Sequence, residues 1–192
     1  MRMTRRMLLV GSAAAVLASR SYAVPRTGYV IGWQGAAPDP AVAASLEAQI
    51  RLVEALPISA EAMAFFRGET IHVDREAGTR TRAGRGVYWA REVVPADNPV
   101  LLHELIHRWQ IARMPGGQQN SDVHRFYRAA LSSGRWPARS YMLSNAFEFF
   151  AMCASVVLHG RAARPPFTRA AVKAAMPDVH AFIVAEFGLR SA

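Results

Sequence analysis

The sequence predicts a single α+β domain in which a small sheet packs on helices. Two observations predict this class. ETIHVDR (69–75) and GVYWAREVV (86–94) have the β-branched, aromatic and alternating character of short strands, whereas most of the remaining chain repeats apolar residues at three- and four-residue steps. At 192 residues the chain suffices for one sizeable core and argues against two.

Residues 24–39, rich in Gly and Pro, read as an irregular lead-in. From Pro40, residues 41–56 place Leu46, Ile50, Val53 and Leu56 on one helical face, and Pro57 ends the run. SAEAMAFFRG follows as a short helix with Ser59 as N-cap and Gly68 as its stop. In the first strand Ile71 and Val73 share a face opposite His72 and Asp74. A turn-rich stretch, 78–86, joins it to the second strand, so the two are expected to pair antiparallel; its Arg80, Arg82 and Arg85 read as a solvated turn. Asn98-Pro99 opens a helix over 99–113 with Pro at its first position. After a loop at 114–122, VHRFYRAAL forms a short amphipathic helix, and 132–141 is a second loop. SNAFEFFAMCASVVL (144–158) is apolar all round, hence a buried helix, and stops at His159-Gly160. The tail from Thr168 to Phe187 is helical with a break at Pro177.

The composition bounds the function classes. Apolar residues make up 52% of the chain, which excludes a disordered chain. Arg2, Arg5 and Arg6, the 13-residue apolar run Met7 to Ser19 and the small residues at Ser21-Tyr22-Ala23 predict a signal peptide over 1–23. That run is short for a membrane span, so no stable membrane insertion is expected after its removal. Thr4-Arg5-Arg6 resembles a twin-arginine export signal. The expected location is therefore outside the cytoplasm, periplasmic or secreted. Without residues 1–23 the balance is 19 basic against 14 acidic residues; no nucleic-acid motif accompanies it, and no nucleic-acid partner is expected. Cys153 is the sole cysteine, so no intrachain disulfide exists, and it reads as a small buried hydrophobe.

The chemistry concentrates in LLHELIHRWQ. His103 and His107, four residues apart on a helix, lie on one face and can share one metal ion. Glu104, beside the first of them, can take a proton from a water on that metal. Imidazole and carboxylate ligands suit zinc. An incidental polar set is disfavoured, because Leu101, Leu102, Leu105, Ile106 and Trp109 bury this helix and its imidazoles would then need other partners.

A hydrolytic site needs a third ligand. The extended H-E-x-x-H-x-x-G-x-x-H pattern fails at Gln110 and Arg113. His124 falls on the polar side of its helix, His72 on the outward face of its strand and His159 at a helix C-terminus; nothing in the sequence supports His180 or Cys153. Glu148 is the isolated acid of the apolar helix, flanked by Phe147, Phe149 and Phe150, and a cation would remove the cost of burying it. It can also be N3 of a capping box begun by Asn145, a role that normally leaves a Glu in solvent.

Together these motifs resemble a known family. The run Ser140-Tyr141-Met142-Leu143-Ser144-Asn145-Ala146-Phe147-Glu148-Phe149-Phe150-Ala151 downstream of HExxH is similar to the C-terminal metalloprotease domain of anthrax lethal factor and related secreted bacterial proteases. The likeness spans roughly residues 85–158 and is specific at the two motifs. It implies a zincin-like domain of gluzincin type over 24–192, in which the HExxH helix and the Glu148 helix face each other. His103, His107 and Glu148 would be ligands to one Zn2+, Glu104 the general base, and Tyr141 a donor to the developing oxyanion. Without the likeness, Tyr141 is a loop aromatic. Two positions depart from the family pattern: Ile106 stands where relatives carry Gly, and Met152 where they often carry an acid.

The expected function is an exported zinc metallopeptidase acting on peptide or protein substrates. The alternative is an exported zinc-stabilised binding domain without turnover. In proteases of this architecture the strand upstream of HExxH is an edge that pairs with extended substrate. GVYWAREVV is either that edge or a core strand.

Overall fold

The structure is a computed structural model that describes residues 28–35, 39–74 and 80–190. The signal peptide expected at 1–23 lies outside the described residues. No helix among them is long and apolar enough to cross a membrane.

The first element corrects the expectation of an irregular lead-in. Strand β1 (Val30–Trp33) forms within it, because Tyr29, Ile31 and Trp33 alternate onto one buried face while Val30 faces outward. Helix α1 (Pro40–Glu54) follows, with Asp39 accepting from the Ala41 N–H and Pro40 in the first turn. Helix α2 (Ala60–Gly68) begins at Ser59, whose hydroxyl accepts from the Ala62 N–H. Strand β2 (Thr70–Val73) then pairs with β1 in parallel, Val30 opposite Thr70 and Trp33 opposite Val73. The two helices are thus the crossover that a parallel pair requires.

The expected antiparallel pairing of the two sequence-predicted strands is also corrected. β3 (Arg82–Ala83) and β4 (Val87–Trp89) form a hairpin, and β4 pairs with β2 in parallel; the sheet order is β1-β2-β4-β3. β3 lies on the far edge of β4 and runs against it across the tight Gly84-Arg85-Gly86 turn, so the hairpin reverses the chain and β4 returns beside β2 in the direction of β2. Gly86 makes the close approach possible, since a Cβ there would lie 2.7 Å from the Thr70 carbonyl. β4 is therefore a core strand, and β1 and β3 are the edges. Arg82 is more engaged than a solvated turn residue: it pairs with Asp74 at 2.8 Å and lies over the Tyr88 ring.

The helices follow as α3 (Val100–Arg113), α4 (Ser121–Ser133), α5 (Ala146–His159), α6 (Arg169–Ala175) and α7 (Pro177–Phe187). Pro99 takes the N-cap position of α3, one residue before the expected place. The break at Pro177 separates α6 from α7. α5 is the central element, in contact with α3, α4, α6 and α7. Its apolar surface is used on every side, and Cys153 lies inside it as a free, fully buried thiol. Gly160, at φ 105°, ends the helix in the left-handed conformation.

Candidate metal centre

Three polar anchors aim α3. Its own N-cap offers no side chain, and the Leu101 N–H is instead accepted by Gln49 Oε1 of α1 at 3.1 Å. Gln49 Nε2 donates to the Asn98 carbonyl at 2.8 Å, and the buried Ser45 hydroxyl exchanges hydrogen bonds with both backbone groups of Val94. Arg108 donates to Glu69 at 2.8 Å and to the Gly84 carbonyl, tying the helix to the sheet. Trp109 Nε1 donates to Glu186 of α7 at 2.7 Å. With Leu101, Leu102, Leu105 and Ile106 fully buried, the helix has little freedom to rotate.

On this frame the two imidazoles stand one turn apart, ring centroids 4.5 Å from each other. His103 Nε2 lies 3.0 Å from Glu148 Oε2, and His107 Nε2 lies 3.3 Å from the same oxygen. One ligand atom from each of the three residues falls within 4.8 Å of the others, the only such group among the described residues. Zinc bound tetrahedrally by N and O at about 2.0–2.1 Å separates its ligand atoms by about 3.3 Å. The donor set and its spacing therefore fit a metal ion, and these residues could hold one. Glu148 also serves its helix, since Asn145 Oδ1 accepts from the Glu148 N–H at 2.9 Å. Cap and candidate ligand coexist because the cap uses the Glu148 backbone and leaves its carboxylate free for the histidines.

The electrostatics follow from burial. Burial alone would raise the Glu148 pKa, but the hydrogen bonds with His103 and His107 outweigh it and hold the carboxyl well below the usual range. Burial pushes the His107 imidazole down to about 4, leaving it neutral and available as a ligand. Its Nδ1 is buried with no hydrogen-bond partner among the described residues, and its ring stacks on Phe147 at 3.9 Å between centroids. Burial pushes Glu104 up to about 7, against the pull of the neighbouring His103. A carboxyl tuned toward neutrality is suited to exchange protons.

Tyr141 begins a single 3-10 turn, Tyr141–Leu143, immediately before α5. Ser144 Oγ donates to the Tyr141 carbonyl at 2.7 Å and Tyr127 Oη to the Leu143 carbonyl at 3.0 Å, which fixes the turn. The Tyr141 ring sits 6.1 Å from that of His103. Burial, then the Glu148 carboxylate, push its phenol up to about 12, so it stays protonated as a donor. His103, Glu104 and Tyr141 share the wall of a cleft of about 550 Å³.

Sequence reasoning missed several residues of that cleft. Ser155 lines it two turns beyond Glu148, a helical spacing that could have indicated it, next to Met152, the position where the family often carries an acid. Arg80, Glu92 and Arg164 also line it, and no local pattern announced them. Arg164 lies over the Tyr141 ring, 5.7 Å from its centroid. The other histidines stay outside the cluster. His72 stacks on Tyr88, the His124 ring pairs with the Gln118 carbonyl, and His159 ends α5. Ile106, one of the two departures from the family pattern, is fully buried in the core.

Set against known proteins, the chain matches no protein-family model, no curated protein and no solved structure. The likeness to lethal-factor-type proteases rests on the two sequence motifs, and the candidate site rests on the geometry of its own residues.

Proposed function

We propose that this chain is an exported zinc-dependent metallopeptidase of gluzincin type, acting on peptide or protein substrates. The observation that carries the reading is the convergence of His103 and His107 on one oxygen of Glu148, beside Glu104 and at the wall of a cleft. His103, His107 and Glu148 would hold the zinc. Zinc at such a site would supply Lewis acidity, polarising a carbonyl and lowering the pKa of water. Glu104 takes the proton of the attacking water and passes it to the leaving amine. Tyr141 donates its hydroxyl to the oxygen on which negative charge develops. The buried flank of α3, backed by α5, limits the water that reaches Glu104. β3, which has no partner strand on its outer side among the described residues and meets Glu104 by a backbone hydrogen bond at Ala83, is the edge beside the site on which an extended peptide would pair.

The test combines zinc content with hydrolysis of a peptide library by the purified chain and by Glu104→Gln. The expected result is one zinc per chain in both and chelator-sensitive hydrolysis in the wild type alone. Zinc without hydrolysis in the wild type would favour a zinc-stabilised binding domain. Unchanged hydrolysis by Glu104→Gln would sink the mechanism.

A further inference from the structure

A second cleft, of about 530 Å³, opens where the C-terminal turn of α1, the end of α5 and the start of α6 meet. Arg51, Arg161, Arg169, Arg190 and His159 line it, against the single carboxylate of Asp97. Guanidiniums gathered around one concavity repel one another unless a counter-charge joins them.

Two of these arginines have work within the fold. Arg169 donates from Nε to the Val157 carbonyl and from Nη2 to the Leu158 carbonyl at 2.9 Å, closing the end of α5. Arg51 lies 3.7 Å from Glu47, both side chains largely in solvent. The other two do not: no carboxylate among the described residues comes within ion-pair distance of Arg161 or Arg190, and both are exposed. α1 and α5 also end beside the cleft, but a helix C-terminus carries only about half a negative charge. The two dipoles and Asp97 together leave the walls positive.

His159 stands in the same wall. Its Nε2 is closed off from the cleft and has no hydrogen-bond partner among the described residues, so it is no donor to a ligand there. Burial, then the positive charge of Arg161, lower the His159 pKa.

We propose that this cleft binds a tetrahedral oxyanion of the phosphate type, held by Arg161 and Arg190. The site is built from residues other than those of the metal centre and does not rest on peptidase activity.

The experiment is calorimetric titration of the full chain with inorganic phosphate at constant ionic strength, in metal-loaded and metal-free protein. The comparison protein is Arg161→Gln/Arg190→Gln, with a cooperative thermal unfolding transition as its check of folding. The wild type is expected to bind one phosphate saturably in both metal states. The double variant is expected to bind about tenfold or more weakly, the loss that follows from removing charge-assisted hydrogen bonds. The single variants, each expected to weaken binding about threefold, carry the test if the double variant loses its fold. Phosphoserine titrated in parallel separates a phosphate monoester from the free ion as the preferred source. No saturable binding, binding confined to the metal-loaded form, or undiminished binding by the variants would overturn the proposal.

Discussion

Gln49 caps the helix that carries His103 and His107, although 52 residues separate it from the Leu101 N–H that it accepts. The same amide donates to the Asn98 carbonyl, so one fully buried side chain holds both the start of α3 and the segment leading into it. Gln49→Ala strands a helix N–H and a carbonyl away from water. It is expected to cost about 1–3 kcal/mol in chemical denaturation. Because the loosened end is one turn from His103, zinc affinity is expected to fall as well. Unchanged affinity would show that the cap holds the helix without aiming the ligands.

Arg108 and Glu69 form the second tie between α3 and the sheet, with side chains only 16% and 11% exposed. Removing one partner of such a pair leaves the other charge without compensation. Arg108→Ala is expected to lower unfolding free energy by about 2–4 kcal/mol. Arg108→Ala/Glu69→Ala should recover part of the loss, which a double-mutant cycle in urea measures.

Tyr141→Phe removes one hydroxyl and no packing. If that hydroxyl stabilises a developing oxyanion, kcat should fall about a hundredfold with KM and zinc content nearly unchanged. A variant that keeps full kcat would return Tyr141 to the role of a loop aromatic.

Glu104 gives a pH signature in metal-free protein. Its carboxyl, 7% exposed and pushed up to about 7, binds a proton more readily folded than unfolded. Its ionisation therefore opposes folding above about pH 7, and this cost disappears as pH falls toward the ordinary carboxylate value. Glu104→Gln is expected to be more stable than wild type at pH 8, by on the order of 3 kcal/mol, with the gap closing below about pH 5. Thermal unfolding of the two metal-free proteins across pH 5–8 measures it. In zinc-loaded protein a nearby cation would favour the carboxylate, so the proposed hydrolysis should fall on the acid side at a pH below 7.

The candidate site was more legible than the sheet, for physical reasons. His103 and His107 needed only helical periodicity, and Glu148 stood out as a charge in an apolar run. Neither depends on knowing what packs where. Strand pairing does: β2 meets β4 in parallel because β3, at the far edge, reverses the chain first, an arrangement of three strands together. β1 was legible in the alternation of Tyr29, Ile31 and Trp33, but the glycines and prolines around it read as loop. Ser45 and Gln49 look like the polar face of an amphipathic helix, and only the position of residues 94–101 reveals them as buried caps. Arg164 carries no local signal at all; it reaches the cleft through the connection after α5.

The central claim is that Glu148 is the third ligand of one zinc ion. The most direct measurement is metal content by inductively coupled plasma mass spectrometry for the wild type and Glu148→Ala, each dialysed against trace zinc. One zinc per chain in the wild type and next to none in the variant is the expected result. Equal zinc in both, or none in the wild type, would contradict it.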